Sequence, residues 1–500
     1  MALINISHLN FAHDGGQIIF DNVSLQLDTN WKLGLIGRNG RGKTTFLKLL
    51  CGGYSFSGNI HTPVAMDYFP FPIADPTRSG ADIAMSICND LEQWRLEREA
   101  SLLQLSPESL SRPFCTLSGG EATKLLLAAL FLRGNNFLLI DEPTNHLDIH
   151  ARLAVGKYLR SKKGFILVSH DRSLLDNSID HVLSINKADI ELQRGNFSSW
   201  QVNRDRRDQR ELADNEKLRK EIQRLELSAR RSADWSRKTE KEKYPKEHVD
   251  FFLDRGFIGH KAAKMMKRAK SAETRRDKAV EEKRQLLRNL ENEAPLTMRP
   301  QIFHSKRLAE LKNVAVRYDK TSVLNGVSFS IIQGRRLALA GRNGCGKSAV
   351  LRLLAEHNVE FEGALYLPGS LRISYVPQNA SHVRGSLKEF ARERGIEETL
   401  LRAVLHRFGF ERKQFDTDMA AFSAGQKKKA LLAASLCQEA HLYIWDEPLN
   451  YIDVISRIQI ENLILKYQPS MILVEHDRMF LQRVATEILD LDSSEADISA

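Results

Sequence analysis

Two octapeptides define the chemistry to be explained. Gly37-Arg38-Asn39-Gly40-Arg41-Gly42-Lys43-Thr44, followed by Thr45, and Gly341-Arg342-Asn343-Gly344-Cys345-Gly346-Lys347-Ser348 both read G-x-x-x-x-G-K-[ST]. Glycines at these places let the backbone wrap a phosphate chain. Amide groups at the start of a helix receive its charge, while the lysine and the hydroxyl reach the outer phosphates and Mg2+. The context supports this use. Each motif follows an apolar run that predicts a strand (32–36 and 336–340) and precedes an apolar-periodic helix pattern (46–50 and 350–354). One glycine-rich turn could arise by chance, but two copies in the same setting do not.

Other polar residues recur at matching distances. Ser118, Asp141 and His170 lie 75, 98 and 127 residues after Lys43, and Ser423, Asp446 and His476 lie 76, 99 and 129 after Lys347. The chain therefore carries two copies of one domain. Phosphoryl transfer asks a protein for positioning and charge stabilisation more than for covalent chemistry. Asp141 and Asp446 end apolar strand patterns, where a carboxylate can hold Mg2+ together with the Thr44 and Ser348 hydroxyls. Glu142 and Glu447, one residue on, are placed to orient or deprotonate an attacking water. His170 and His476 follow a further strand pattern and could contact the γ-phosphate. A buried histidine is ordinarily a satisfied core residue, yet both recur at matching distance, which favours the functional role.

Leu117-Ser118-Gly119-Gly120-Glu121, Asp141-Glu142-Pro143-Thr144-Asn145-His146-Leu147-Asp148 and Ser169-His170-Asp171 together resemble an ABC ATPase. The second half answers with Phe422-Ser423-Ala424-Gly425-Gln426, Asp446-Glu447-Pro448-Leu449-Asn450-Tyr451-Ile452-Asp453 and Glu475-His476-Asp477. The resemblance covers essentially the whole chain outside its connector. It implies an α/β protein with two P-loop ABC ATPase domains that bind ATP and Mg2+ and hydrolyse the nucleotide. It also implies that Ser118, Gly119 and Gly120, and likewise Ser423 and Gly425, cap the γ-phosphate of the opposite domain. One ATP then lies between Lys43 and Ser423 and the other between Lys347 and Ser118. Phe11 and Tyr318 resemble the family's adenine-stacking aromatics, with ordinary core packing as the equal alternative. Three departures stand out. Tyr375-Val376-Pro377-Gln378 supplies a metal-binding Gln378, but the matching Tyr68-Phe69-Pro70-Phe71 ends in Phe71. Ala424 adds a methyl group where the family has glycine, and Cys345 sits inside the second phosphate loop. These differences predict unequal turnover at the two sites.

The elements that must position these residues follow from the wider sequence. A chain of 500 residues has room for two large domains and a connector, expected at 1–199, 305–500 and 200–296. The sequence shows no membrane-length apolar run and no export signal, and its five scattered cysteines form no C-x-x-C pair. A cytoplasmic protein is expected, without disulfides or a zinc site. Of the net charge of +10, an excess of 8 falls between 201 and 294, where 27 Lys/Arg face 19 Asp/Glu, so the polyanionic partner is expected at the connector.

From 200 to 243 the connector has no proline or glycine, and a second helical stretch is expected over 260–292, with Gly256 and Gly259 marking the turn. Ala262, Met265, Ala269, Ala272, Ala279, Leu286 and Leu290 step at coiled-coil spacing, with Leu218, Ile222 and Leu225 as the antiparallel partner. Tip aromatics Tyr244, Phe251, Phe252 and Phe257 lie among lysines and could stack on unpaired bases, or simply pack the tip itself. At this point the chain resembles the ABC-F proteins, tandem cassettes without membrane subunits whose linker enters the ribosomal exit-tRNA site. The D-E-P-L-N-Y-I-D motif, the variant second signature and the length of the linker are similar to the Lsa-like resistance subgroup. The extra arm found in housekeeping relatives is missing, since Phe71 to Ser118 spans 47 residues against 45 from Gln378 to Ser423. The resemblance implies a monomer bound to the bacterial ribosome, near 23S rRNA and the peptidyl-site tRNA. Its tip at 244–260 would reach toward the peptidyl-transferase centre, with Phe257 deepest, and expel lincosamide, streptogramin A and pleuromutilin drugs. A housekeeping translation factor remains the alternative, and a transporter ATPase would have little use for a basic rod.

Overall fold

The strand patterns of the sequence are continuous apolar runs, which suit parallel strands buried on both faces. In the computed structural model they take that place. Lys32–Gly37, Asn136–Asp141 and Phe165–Val168 are buried almost throughout. The structure describes residues 2–13, 18–88, 92–134, 136–144, 147–186, 189–241, 255–286, 296–318, 321–342, 344–356 and 359–492.

In the first cassette the six-stranded sheet runs in the order Ala65–Phe69, Asn136–Asp141, Phe165–Val168, Lys32–Gly37, His181–Ile185, Ile190–Arg194. Only the last pair is antiparallel. The second cassette repeats the core of this arrangement as Ile373–Val376, Leu442–Asp446, Met471–Val474, Arg336–Ala340, Glu487–Asp490, all parallel. A three-stranded antiparallel sheet accompanies each, with Leu3–Ala12 between Ile18–Asp28 and Ser57–His61, and Arg307–Tyr318 between Thr321–Ile332 and Phe361–Tyr366. The internal repeat is thus a repeat of topology. In both copies the functional loops leave the carboxyl ends of neighbouring parallel strands, where open α/β sheets bind ligands.

The chain divides into two units, Met1–Ser198 with Pro295–Ala500, and Ser199–Ala294. Both cassettes belong to the first unit. Their packing is sealed by charge as well as by apolar contact. Arg172, which follows His170-Asp171, is 1% exposed and donates to Glu461 Oε2 at 2.8 Å, with Asp477 Oδ2 at 3.6 Å. Arg457 approaches the same Asp477 oxygen at 3.5 Å, and Arg483 meets the other Glu461 oxygen at 2.5 Å. Taking away one member of a buried pair strands its partner away from water. Arg172→Ala should therefore lower stability by about 3 kcal/mol, the lower end for such losses, because Arg483 and Arg457 remain. Urea unfolding measures this, and an unchanged midpoint would refute the bridge.

The second unit contains the helix that begins at Phe197 and the helix Arg255–Leu286. The first, Phe197–Lys241, has 45 residues, a rod of about 67 Å at 1.5 Å per residue. Leu218, Ile222 and Leu225 are half-buried and Ala279 is buried. One expectation is corrected here. The second helix starts at Arg255, so Gly256 and Phe257 belong to its first turn and Gly259 to the start of its second, and none of them to a connecting turn. The first-turn amides lack intrahelical partners in any helix, so glycine there forfeits no ladder bond of its own. Tyr244, Phe251 and Phe252 lie outside the described residues, as does the expected helical end beyond Leu286.

Candidate nucleotide sites

Both phosphate loops are preset by their own lysines. Gly40 and Gly42 take φ of 81° and 86°, and Gly344 and Gly346 take 88° and 97°, left-handed values open to glycine at little cost. These turns bring Lys43 Nζ to the carbonyls of Gly37 at 2.7 Å and Arg38 at 3.2 Å, with Asn39 Oδ1 at 3.4 Å. Lys347 Nζ repeats the pattern on Gly341 and Arg342, at 2.7 and 2.8 Å. The ammonium groups thus rest on carbonyls that a phosphate can replace. Burial lowers the pKa of Lys43, while Asp453, Glu142 and Asp141 pull it back up. Arg41, Thr44 and Thr45 line the same cavity as Lys43, and Asn343 falls outside the described residues.

Beside the first loop Thr44 Oγ1 donates to Asp141 Oδ2 at 2.7 Å, and the Tyr68 hydroxyl donates to the same oxygen at 3.0 Å. In the second cassette Asp446 is fully buried, with the Ser348 hydroxyl beside it. Burial raises its pKa, and the nearby Ser348 hydroxyl, Lys428 and Arg352 oppose the rise. A buried carboxylate beside a phosphate loop and a loop hydroxyl is chemically suited to a hard cation.

The two glutamates share a backbone and differ in their surroundings. Glu142 and Glu447 have φ of 50° and 46°, strained values for a side chain of this size, and their amides donate to Val168 and Val474 carbonyls at 2.9 Å. Glu447 is held by Asn450 Nδ2 at 2.7 Å, Gln378 Nε2 at 3.0 Å and His476 Nε2 at 3.2 Å. Although burial works against it, these partners, His476 foremost, bring its pKa down to about 2. Glu142 has His170 Nε2 at 3.2 Å but no aligned hydrogen bond to either oxygen among the described residues. Burial, with Asp141 beside it, pushes Glu142 up to about 8. Burial also holds His170 well below the usual histidine range, helped by Lys43, Arg457 and Lys429, so its imidazole is neutral. Phe71 stands where Gln378 does, and it lines a separate cavity with Asp67 and Tyr68.

The first loop faces the second cassette. A cavity of about 990 Å3 is lined by Asn39, Lys43, Thr44, Asp141, Glu142 and His170 from one side and by Glu411, Lys413 and Tyr451 from the other. Asn39 Nδ2 donates to the Tyr451 carbonyl at 2.7 Å, and Asn39 N to Asp453 Oδ2 at 3.4 Å. The signature stretches form helix N-termini. Ser118 and Ser423 cap the helices Gly119–Leu132 and Ala424–Cys437 with reciprocal bonds to Glu121 and Gln426. Each signature thereby presents the positive end of a helix dipole. A Cβ on Gly425 would stand 3.0 Å from that of Tyr451, whose carbonyl holds Asn39, so the second signature lies one residue's width from the first phosphate loop. Ser118, Gly119 and Gly120 occupy the corresponding N-terminus in the first cassette.

Of the two readings of Phe11, adenine stacking and core packing, the structure displays packing contacts. Phe11 is 8% exposed and packs edge-on to His13 and against Tyr54 in the core, because the register shift between Ile6 and Leu9 turns Leu9 and Phe11 to the same face as Ile4 and Ile6. His13, two residues on, lines the cavity instead. Of Tyr318 the structure describes the backbone pairing with Thr321.

Sequence reasoning missed Lys428, buried beneath the second site, where it donates to the carbonyls of Pro377 at 2.7 Å, Gln378 at 3.2 Å and Asp446 at 2.8 Å. Burial brings its pKa down to about 8. It also missed the cross-cassette partners Asp453 and Tyr451. The repeated motif ending in aspartate was the available signal, but a motif read within one domain does not reveal that its target lies in the other.

Cys345 is half-buried, with Sγ 3.9 Å from Lys347 Nζ and 2.6 Å from where a Gly341 Cβ would be. Alkylation there should place the adduct in the phosphate cradle. A thiol reagent is expected to abolish nucleotide binding at this loop, with Cys345→Ala protected. Equal inhibition of both proteins, read by fluorescent-nucleotide titration, would place the effect elsewhere.

Comparison with known proteins agrees with this geometry. The ABC transporter family matches residues 20–145 and 324–450. The Escherichia coli "Probable ATP-binding protein YheS" is 28% identical over 95% of this chain and 76% of its own length. The Bacillus subtilis "Ribosome protection protein VmlR" is 26% identical over 96% and 85%, and the E. coli "Energy-dependent translational throttle protein EttA" 25% over 94% and 89%. Among solved structures, the archaeal ribosome recycling factor aABCE1 in complex with ribosomal stalk protein aP1 superposes with a TM-score of 0.64 at 19% identity. It covers 97% of this chain and 87% of that one, a likeness of fold. No described helix is long and apolar enough to cross a membrane.

Proposed function

The chain belongs to the ABC transporter family as a tandem ATPase that binds and hydrolyses ATP, and from that premise we propose that it is an ABC-F protein acting on the bacterial ribosome. Its linker then enters the exit-tRNA site and, as in the Lsa-like resistance subgroup, displaces lincosamide, streptogramin A or pleuromutilin drugs. The observation that carries this reading is the joining of two nucleotide sites in one body to a basic pair of long helices, Phe197–Lys241 and Arg255–Leu286. Described cations such as Lys264, Lys267, Arg268 and Lys270 are exposed on the second helix, as phosphate binding requires. The names of the relatives VmlR and EttA agree with work on translation.

In this reading Lys43 and Lys347 draw the outer phosphates into their loops, exchanging carbonyl contacts for phosphate oxygens. Thr44 with Asp141, and Ser348 with Asp446 and Gln378, are the residues that would hold Mg2+, which supplies charge neutralisation at the transferring phosphoryl group. Mg2+ is commonly held by one carboxylate and the substrate's own phosphates. Glu142 and Glu447 orient the attacking water and take its proton, and His170 and His476 fix the glutamates and the γ-phosphate. Ser423 with Gly425 closes the first site, and Ser118 with Gly119 and Gly120 closes the second. The protein is expected to work as a monomer in the cytoplasm, bound to ribosomes.

EttA's name favours a second reading, a housekeeping translation factor, which shares every ATPase feature and differs in what the tip does. Co-sedimentation with ribosomes, with and without ATP and drug, tests the common part, and a protein that binds ATP yet sediments free of ribosomes would end both readings. Drug susceptibility of cells separates them. Deleting residues 244–259, or Phe257→Ala beside Tyr244→Ala, Phe251→Ala and Phe252→Ala, should abolish resistance with little change in ribosome affinity, because one stack is lost while phosphate contacts persist. If wild type confers no resistance, the housekeeping reading takes its place.

A further inference from the structure

The two cassettes are copies, so each contact made across one half has a counterpart in the other. Glu461 stands eight residues after Asp453, and Gly156 stands eight after Asp148; Arg172 follows His170-Asp171, and Arg478 follows His476-Asp477. The buried Arg172–Glu461 bond therefore has a mirror position occupied by Arg478 and Gly156. There the carboxylate is missing. In its place is a cavity of about 230 Å3, lined by Gly156, Arg152, Lys157 and Arg160 from the first cassette and by His476 and Arg478 from the second.

The charge of this cavity is unbalanced. Its one acid, Asp171, already pairs with Arg152 at 3.2 Å, as Asp477 does with Arg457 in the mirror position. Among the described residues, Lys157, Arg160 and Arg478 have no carboxylate partner. The volume is also unspent. A Cβ on Gly156 would make only ordinary contact with Leu174 Cδ1 at 3.4 Å, so the space is wide enough for a side chain that this sequence lacks. Finally, His476 belongs both to this wall and to the second nucleotide site, where its Nε2 meets Glu447 at 3.2 Å.

The geometry points to a binding site for a small oxyanion, with inorganic phosphate leaving the second ATP site as its natural occupant. The phosphate takes the position that the Glu461 carboxylate holds in the other half and pairs with Arg478, with Lys157 and Arg160 near it. Charge-assisted bonds to guanidinium are the strong ones, and an arginine fork matches phosphate oxygens. While occupied, the site ties the two cassettes together as the Arg172–Glu461 bond does permanently. Departure of the phosphate removes that tie at the second site alone. The inference rests on ATP hydrolysis at that site and not on the ribosome.

The test uses the full-length protein without ribosomes. Phosphate is titrated calorimetrically at constant ionic strength into ADP-saturated protein, so that nucleotide fills both phosphate loops. Wild type should show saturable binding. Gly156→Glu, which supplies the missing carboxylate, and Arg478→Ala, which removes one of the cavity's three exposed cations, should each weaken it about ten- to a hundredfold. Arg478 lies on the surface, so that variant stays informative if Gly156→Glu fails to fold. A titration in which wild type binds no phosphate, or both variants bind it as wild type does, overturns the site. A second arm follows release with a fluorescent phosphate sensor in a single turnover. Changed release rates in the variants assign the site to product phosphate, whereas unchanged rates with weakened binding assign it to free solute oxyanion and overturn the role in the cycle.

Discussion

Glu142→Gln together with Glu447→Gln should lower ATP turnover by about a hundred- to ten-thousandfold, the usual contribution of a positioned general base, while ATP affinity stays within a small factor of wild type. The phosphate loops, Asp141 and Asp446 are untouched by the change. Glutamine keeps the size of the side chain and can accept at one oxygen, so the strained backbone at φ of 50° and 46° has the same occupant in shape. The nucleotide then remains between a loop of one cassette and the signature of the other, and the closed form accumulates. On ribosomes the double variant should pellet with ATP and slow translation. Filter binding, steady-state phosphate release and sedimentation measure the three parts. Turnover within fivefold of wild type would remove the two glutamates from the reaction.

The single variants should differ in their response to acid. Glu447→Gln leaves the first site, whose Glu142 is pushed up to about 8 by burial and by Asp141. The working form of the base is the carboxylate, and a raised pKa favours the protonated form. Activity is therefore present above about pH 8 and is lost as the pH falls. Two units below its pKa a group is about one part in a hundred ionised, so turnover at pH 6 should be about a hundredfold below the plateau. Glu142→Gln leaves the second site, where His476, Gln378 and Asn450 bring Glu447 down to about 2. Its carboxylate persists throughout the range in which the protein is assayed, and its profile should be flat from pH 8 to pH 5. The order of the two acid limbs is the readout. Coincident limbs would show that the missing glutamine at Phe71 has no consequence.

The clustering of the candidate site residues was legible because each sits at a fixed place within a repeated motif, and repetition removes chance. Strand ends place Asp141 and Asp446, and short loops place the rest, so spacing alone carried the geometry. Contacts across the cassettes were not legible. Asn39 reaches Tyr451 and Asp453 more than four hundred residues away, and neither hydrophobic period nor propensity encodes such a pairing. The role of Phe11 was left open for another reason: an aromatic near a phosphate loop fits either face of a strand, and the bulged pairing of Leu3–Ala12 with Ile18–Asp28 sets which face it takes. The glycines at 256 and 259 signalled a turn by composition, but a helix start tolerates them where its interior would not. Lys428 was hidden by its neighbours, since Lys427-Lys428-Lys429 reads as a solvated basic face, while the fold buries the last two.

The Arg172–Glu461 bridge also bears on how the molecule is made. Its partners are 289 residues apart, so arginine leaves the synthetic machinery long before its glutamate exists. Until then the guanidinium stays hydrated, which is its favoured state without a counter-ion. A newly made first cassette can thus complete its sheet while presenting a charged, wetted face where the second will dock. Such a face resists adhesion to other unfinished chains, whereas an apolar one would invite it. Docking is deferred until the cognate carboxylate arrives in cis, and the order of synthesis then works in favour of correct assembly.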